Sequence, residues 1–146
     1  MRLTENFTLE EMYASSTAAR KGIDNMPSPV VQQNLRMLAE KVLQPIRDAY
    51  RHPITVTSGY RCAELNKAVG GAKASQHLTG CAADIKCSHT SKAYLFQLIL
   101  RMMREGRITV GQLIWEYGDA KEPNWIHVSL PTRGKKNQVL YLYNKK

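Results

Sequence analysis

The chain has 146 residues, 43% of them apolar and 23% charged, a size and balance that fit one globular domain and exclude a disordered chain. No apolar run approaches the roughly 18–20 residues that span a bilayer, so no membrane insertion is expected. The formal net charge is +9, and all of it resides in residues 51–146, where fifteen Lys/Arg face six Asp/Glu; residues 1–50 hold six of each.

In chain order, residues 8–16 are predicted as a short helix, with Thr8 as N-cap and Glu10 and Glu11 in the first turn, where carboxylates suit the helix dipole. Residues 22–27 form a loop. Ser28 caps a longer helix with Pro29 at its first position, and Val30, Val31, Leu35, Leu38, Val42, Leu43 and Ile46 mark its buried stripe. Pro45 should kink that helix or start a second segment before it ends near Tyr50. The β-branched run Ile54–Ser58 reads as a strand, Gly59-Tyr60-Arg61 turns out of it, and residues 62–68 form one or two helical turns. A loop over 70–77 leads to a second, buried strand at Cys81–Ile85. A helix follows from Ser91 to about Glu105, with Leu95, Leu98, Ile99 and Met102 inward. Gln112–Glu116 and Trp125–Ser129 are two more strands joined by a polar loop, and Val139–Tyr143 is a fifth. Helices first and strands later make an α+β domain, with helices on one face of a small, mostly antiparallel sheet. No repeat, linker or low-complexity run divides it, so residues 1–146 are read as a single domain.

Cys62, Cys81 and Cys87 are odd in number and contain no CxxC pair, which argues against a disulfide framework or a zinc finger and for half-buried free thiols. The polar, acidic start after Met1 lacks an apolar signal core, so the protein is expected in the cytoplasm as synthesised. A basic body suits anionic polymers, or solubility alone. Only Arg133-Gly134-Lys135-Lys136 and Lys145-Lys146 cluster, the basic residues do not alternate with aromatics, and no DNA- or RNA-binding motif is present, so nucleic acid is not an expected partner.

Four histidines are candidates for chemistry. His52 and His89 read as loop residues, whereas His77 and His127 sit beside small or apolar residues at a loop or strand edge. Asp84 interrupts a strand that otherwise wants burial, and a carboxylate there costs several kcal/mol unless it is paired or metal-bound. His77 lies across a Thr79-Gly80 turn from Asp84, and His127 can reach both from a neighbouring strand. Two imidazoles and one carboxylate leave an open coordination position, as in catalytic zinc sites, although facial-triad iron uses the same set. A hydrolase also needs a carboxylate base, for which Glu116 and Glu122 compete, and a cation for the oxyanion, which Arg61 could supply.

The residues Ser58-Gly59-Tyr60-Arg61, Leu65-Asn66, Val69-Gly70-Gly71-Ala72, Ser75 to Ile85 and Trp125-Ile126-His127-Val128-Ser129 resemble the zinc D-Ala-D-Ala peptidase family, which comprises carboxypeptidases, dipeptidases and phage peptidoglycan endopeptidases and is related in fold to the hedgehog signalling domain. The pattern S-x-H-x-x-G-x-A-x-D is filled by Ser75, His77, Gly80, Ala82 and Asp84. The resemblance implies that His77, Asp84 and His127 bind zinc, that Arg61 steadies the oxyanion, and that Tyr60, Ser75, Gln76 and Trp125 contact substrate. Many relatives carry the catalytic acid three residues before the last ligand, where this chain has Asn124. In the small-domain pattern the acid instead ends the preceding strand, which points to Glu116, with Glu122 second. The implied function is a monomeric zinc peptidase that cleaves D-Ala-containing bonds of peptidoglycan stem peptides, as a carboxypeptidase or an endopeptidase. Phage or prophage origin, with release onto the wall, would reconcile that substrate with the missing signal. The alternative is an inactive zinc module that binds wall fragments or a protein partner.

Overall fold

The computed structural model describes residues 1–143, and the basic Lys145-Lys146 pair lies outside them. The first helix is shorter than its pattern implies because two caps follow one another. Thr8 and Glu11 form a reciprocal capping box that opens α1 (Leu9–Tyr13), and Ser15 accepts from Ala18 N–H to open α2 (Ser16–Lys21), a polar helix the periodicity did not reveal. Gly22, at φ 67°, closes α2. Ser28 and Pro29 start α3 (Pro29–Leu38) as expected.

Pro45 lies in the first turn of a second helical segment, one of the two outcomes expected of it. Proline has no N–H to donate, and its ring crowds the carbonyl four residues back. A π-helical stretch, Ala39–Leu43, absorbs the mismatch: Gln44 N–H donates to Ala39 O, five residues back, before α4 (Gln44–Tyr50) continues. That second segment ends at Tyr50, as expected. One member of the expected stripe faces outward, since Val30 is 71% exposed while Leu35, Leu38, Val42, Leu43 and Ile46 are buried.

The strands are β1 (Thr55–Ser58), β2 (Ala82–Lys86), β3 (Gln112–Glu116), β4 (Trp125–Ser129) and β5 (Gln138–Leu142), in the spatial order β1-β2-β4-β3-β5. Every pairing is antiparallel except β3 with β5, which is parallel. α5 (Ala63–Ala68) and a 3-10 turn (Gln76–Thr79) lie between β1 and β2, and α6 (Lys92–Arg104) between β2 and β3. The architecture is α+β.

Strand alternation sorts the two faces. Ala83, Ile85, Leu113, Trp115, Ile126 and Val128 join one apolar cluster with Leu35, Leu38 and Ile46 of the long helix and Leu95, Phe96 and Ile99 of α6. Each such large side chain contributes roughly 1.5–3 kcal/mol when fully buried. Asp84, Glu116 and His127 alternate with these core residues and so face the other side of the sheet. Among the described residues, no helix is long and apolar enough to cross a membrane.

Candidate metal centre

β2 and β4 place Asp84 directly opposite His127, and residues opposite each other in an antiparallel pair share a face. Asp84 Oδ1 lies 3.2 Å from His127 Nδ1. The third group arrives from the 3-10 turn. Ser75 Oγ accepts from His77 N–H at 3.1 Å, and Gly80, at φ 76°, turns the chain into β2. A Cβ at Gly80 would also press on Val31 and Leu35 at 2.9 and 3.1 Å, so this turn requires glycine twice over. His77 Nε2 then stands 3.4 Å from the same Asp84 oxygen. All three residues are buried, and their ligand atoms lie within 4.8 Å of one another.

The donor set fits zinc. His77 Nδ1 meets the Gly59 carbonyl at 2.7 Å. A carbonyl only accepts, so Nδ1 carries a proton and Nε2 is the ring atom turned to the Asp84 carboxylate. A ring nitrogen and a carboxylate oxygen this close need a cation between them, either the proton of an imidazolium or, in its place, a metal ion. Donors held 2.0–2.1 Å from a tetrahedral zinc are about 3.3 Å apart, close to the two separations measured here. Burial alone pushes the Asp84 carboxyl up, but hydrogen bonding to His127 and His77, together with their charge, outweighs it and holds the group at about 2. The carboxylate is therefore ionised at neutral pH. His127 Nε2 is buried without a partner among the described residues, so no carbonyl fixes that ring's tautomer as Gly59 fixes His77.

A cleft of about 450 Å³ opens over this group, and Glu116, Arg61, Ser75, Gln76 and Trp125 line it as well. Glu116 ends β3 opposite Trp125. Burial raises its carboxyl above the ordinary range, the Asp84 charge adds to that, and His127 and Arg61 partly offset it. Glu122 is elsewhere: its Oε2 pairs with Lys92 Nζ at 2.7 Å, and it does not line the cleft. Arg61 is half-buried, and its Nε has no partner among the described residues. Burial lowers its pKa while Asp84 and Glu116 raise it, and a guanidinium stays charged throughout. On the far side of Arg61, Asp84 and Trp125 lies a second cleft, of about 410 Å³, and this one, not the first, receives Tyr60. Ser75 and Gln76 are also internal braces, Ser75 as the cap of the His77 turn and Gln76 through Nε2 to Leu130 O. Trp125 Nε1 is buried and unpartnered among the described residues.

Asn66 and Gly71, quoted above within the family resemblance but given no role there, shape the loop beside Arg61. Asn66 is buried, and its Nδ2 donates to Ala72 O at 2.9 Å, drawing the Gly70-Gly71-Ala72 loop onto α5. A Cβ on Gly71 would sit 3.2 Å from Arg61 Nη1 and 2.1 Å from Asn66 Oδ1, so only glycine lets the loop close there. The signal in the sequence was the pair of motifs Leu65-Asn66 and Val69-Gly70-Gly71-Ala72. Cys62, Cys81 and Cys87 are free and half-buried, and His52 and His89 stack on each other at 3.4 Å without joining the cleft.

Residues 5–129 match the family model described as Peptidase M15. A search of curated proteins gives no match.

Proposed function

The chain belongs to the M15 family of zinc metallopeptidases, and on that premise we propose that it hydrolyses D-Ala-containing peptide bonds of peptidoglycan stem peptides, with His77, Asp84 and His127 holding the zinc. The observation that carries this reading is the convergence of five groups on one cleft: the His–Asp–His set, a carboxylate with a raised pKa, and a guanidinium with a free donor. An inactive module has no need of the last two. The ion, when bound, supplies a Lewis acid that polarises the scissile carbonyl and acidifies a water.

Glu116 takes a proton from the attacking water, whose oxygen forms the new bond to the carbonyl carbon. The carboxyl then returns that proton to the departing amine as the C–N bond breaks. Partial burial helps in both halves of this exchange, because it brings the carboxyl's proton affinity nearer to neutral pH. Arg61 stabilises the negative charge that develops on the carbonyl oxygen. An extended peptide can lie across both clefts, with the bond to be cut near the Arg61–Asp84–Trp125 divide.

The test is mass spectrometry of products from defined stem pentapeptides and cross-linked dimers, with zinc and with a chelator. Release of terminal D-Ala identifies a carboxypeptidase, and cleavage of cross-links identifies an endopeptidase. An intact substrate in the presence of zinc-loaded protein overturns the enzyme reading and leaves the binding module.

A further inference from the structure

We propose that Asn25, in the loop between α2 and α3, is a positioning residue that holds Arg61 in its orientation over the cleft. The inference rests on the role given to Arg61 above. Asn25 is 7% exposed, and its amide bonds the chain on either side of Arg61 and also Tyr13. Nδ2 donates to Tyr60 O at 3.1 Å and to Tyr13 O at 2.8 Å, while Oδ1 accepts from Cys62 N–H at 2.8 Å. Two carbonyls on one end and an N–H on the other permit a single orientation of the amide. The same short segment is pinned twice more, by Tyr60 N–H to Met12 O at 2.8 Å and by Arg61 N–H to His77 O at 3.0 Å.

This bracketing matters because the side chain of Arg61 is not held at its own Nε, which is buried without a partner among the described residues. Its direction is therefore inherited from the backbone of residues 60–62 and from the Gly71 wall against Nη1. A guanidinium that answers a developing oxyanion must be in place before the charge appears, and displacement by about 1 Å can cost ~100-fold in rate. Asn25 supplies two of the bonds that set this position, to Tyr60 O and Cys62 N–H, from a loop remote in sequence, and its third bond anchors it to Tyr13 O.

The experiment is a double-mutant cycle on the zinc-loaded protein with Asn25→Ala, Asn25→Asp and Arg61→Ala. It reads kcat/KM on a stem peptide and, by calorimetry, the Kd of a phosphinate dipeptide that mimics the tetrahedral state. Asn25→Asp keeps the acceptor for Cys62 but loses both donors. Each Asn25 variant should lower kcat/KM and weaken phosphinate binding about tenfold or more, with KM little changed and one zinc retained per chain. In the Arg61→Ala background the same changes should have less than about a twofold effect. An equal loss in both backgrounds would mean that Asn25 merely supports the fold, and the proposal would be wrong. Wild-type turnover in Arg61→Ala alone would instead remove the role of Arg61, and the proposal with it.

Discussion

Asp84 Oδ1 and His127 Nδ1 face each other at 3.2 Å across two hydrogen-bonded strands, a pairing set by backbone register rather than by loop conformation. Stripping the metal should abolish activity and lower Tm, because a ligand bound only by the native state stabilises it by about 2.7 kcal/mol at a hundred times its Kd. Thermal scans with and without chelator check this. In Asp84→Ala the scans should coincide with and without added zinc.

Glu116→Gln should keep its zinc and lose at least ~100-fold in kcat. Its stability should move the other way. Burial and the Asp84 charge raise the folded-state pKa of Glu116 above its unfolded value, so the folded state binds this proton more tightly. Native stability is then greatest below the unfolded pKa and falls as pH rises through the folded one. The variant should accordingly melt higher than wild type at pH 7, and the gap should close below about pH 4. The acid limb of kcat/KM in wild type should lie above the ordinary glutamate range.

Arg61→Ala should lower kcat by about 10²–10³ with a smaller change in KM, as expected when a donor to an oxyanion is removed. Arg61→Lys should restore little of it, because a point charge does not reproduce the planar fork. Steady-state kinetics on one stem peptide suffice.

Glu122→Gln should leave turnover within about twofold. This carboxylate is engaged by Lys92 at a partly exposed position, and such pairs contribute about 1 kcal/mol or less. A large loss of kcat here would move the base from Glu116 to Glu122.

Gly59→Ala should destabilise the protein and weaken zinc binding about tenfold or more. Its Cβ would lie 2.1 Å from Met12 O, a backbone clash that no rotamer relieves, and the carbonyl of Gly59 is the group that orients His77. Competition with a chromogenic chelator measures the affinity.

The ligand set was legible because each donor breaks a local rule. Asp84 sits in an apolar strand, and His77 and His127 border small or apolar residues. Strand alternation then fixes the faces, and the Gln112–Glu116 and Trp125–Ser129 boundaries follow from their apolar runs. What stayed hidden depends on spacing that only the fold creates. α2 is short and polar, so it has no buried stripe to betray it. The π-helical stretch arises from Pro45 acting on carbonyls one turn earlier, which a kink rule does not describe. The parallel pairing of β5 with β3 requires the chain leaving β4 to cross β3, and no pattern within Val139–Tyr143 encodes direction. Asn25 looks like any loop asparagine until Tyr13, Tyr60 and Cys62 surround it.

In β1, Thr57 is an extra residue: Val56 pairs with Ile85 and Ser58 with Asp84, while Thr57 Oγ1 donates to Asp84 O. Such a bulge sets two residues against one, keeps the pairing beyond it and bends the strand. Deleting Thr57 would leave Ser58 in ordinary register opposite Asp84 but remove the bend, pulling Gly59 away from the imidazole it steadies and Arg61 away from the cleft. A single-codon deletion at an edge strand should therefore silence the enzyme while leaving His77, Asp84, His127, Glu116 and Arg61 all in the sequence.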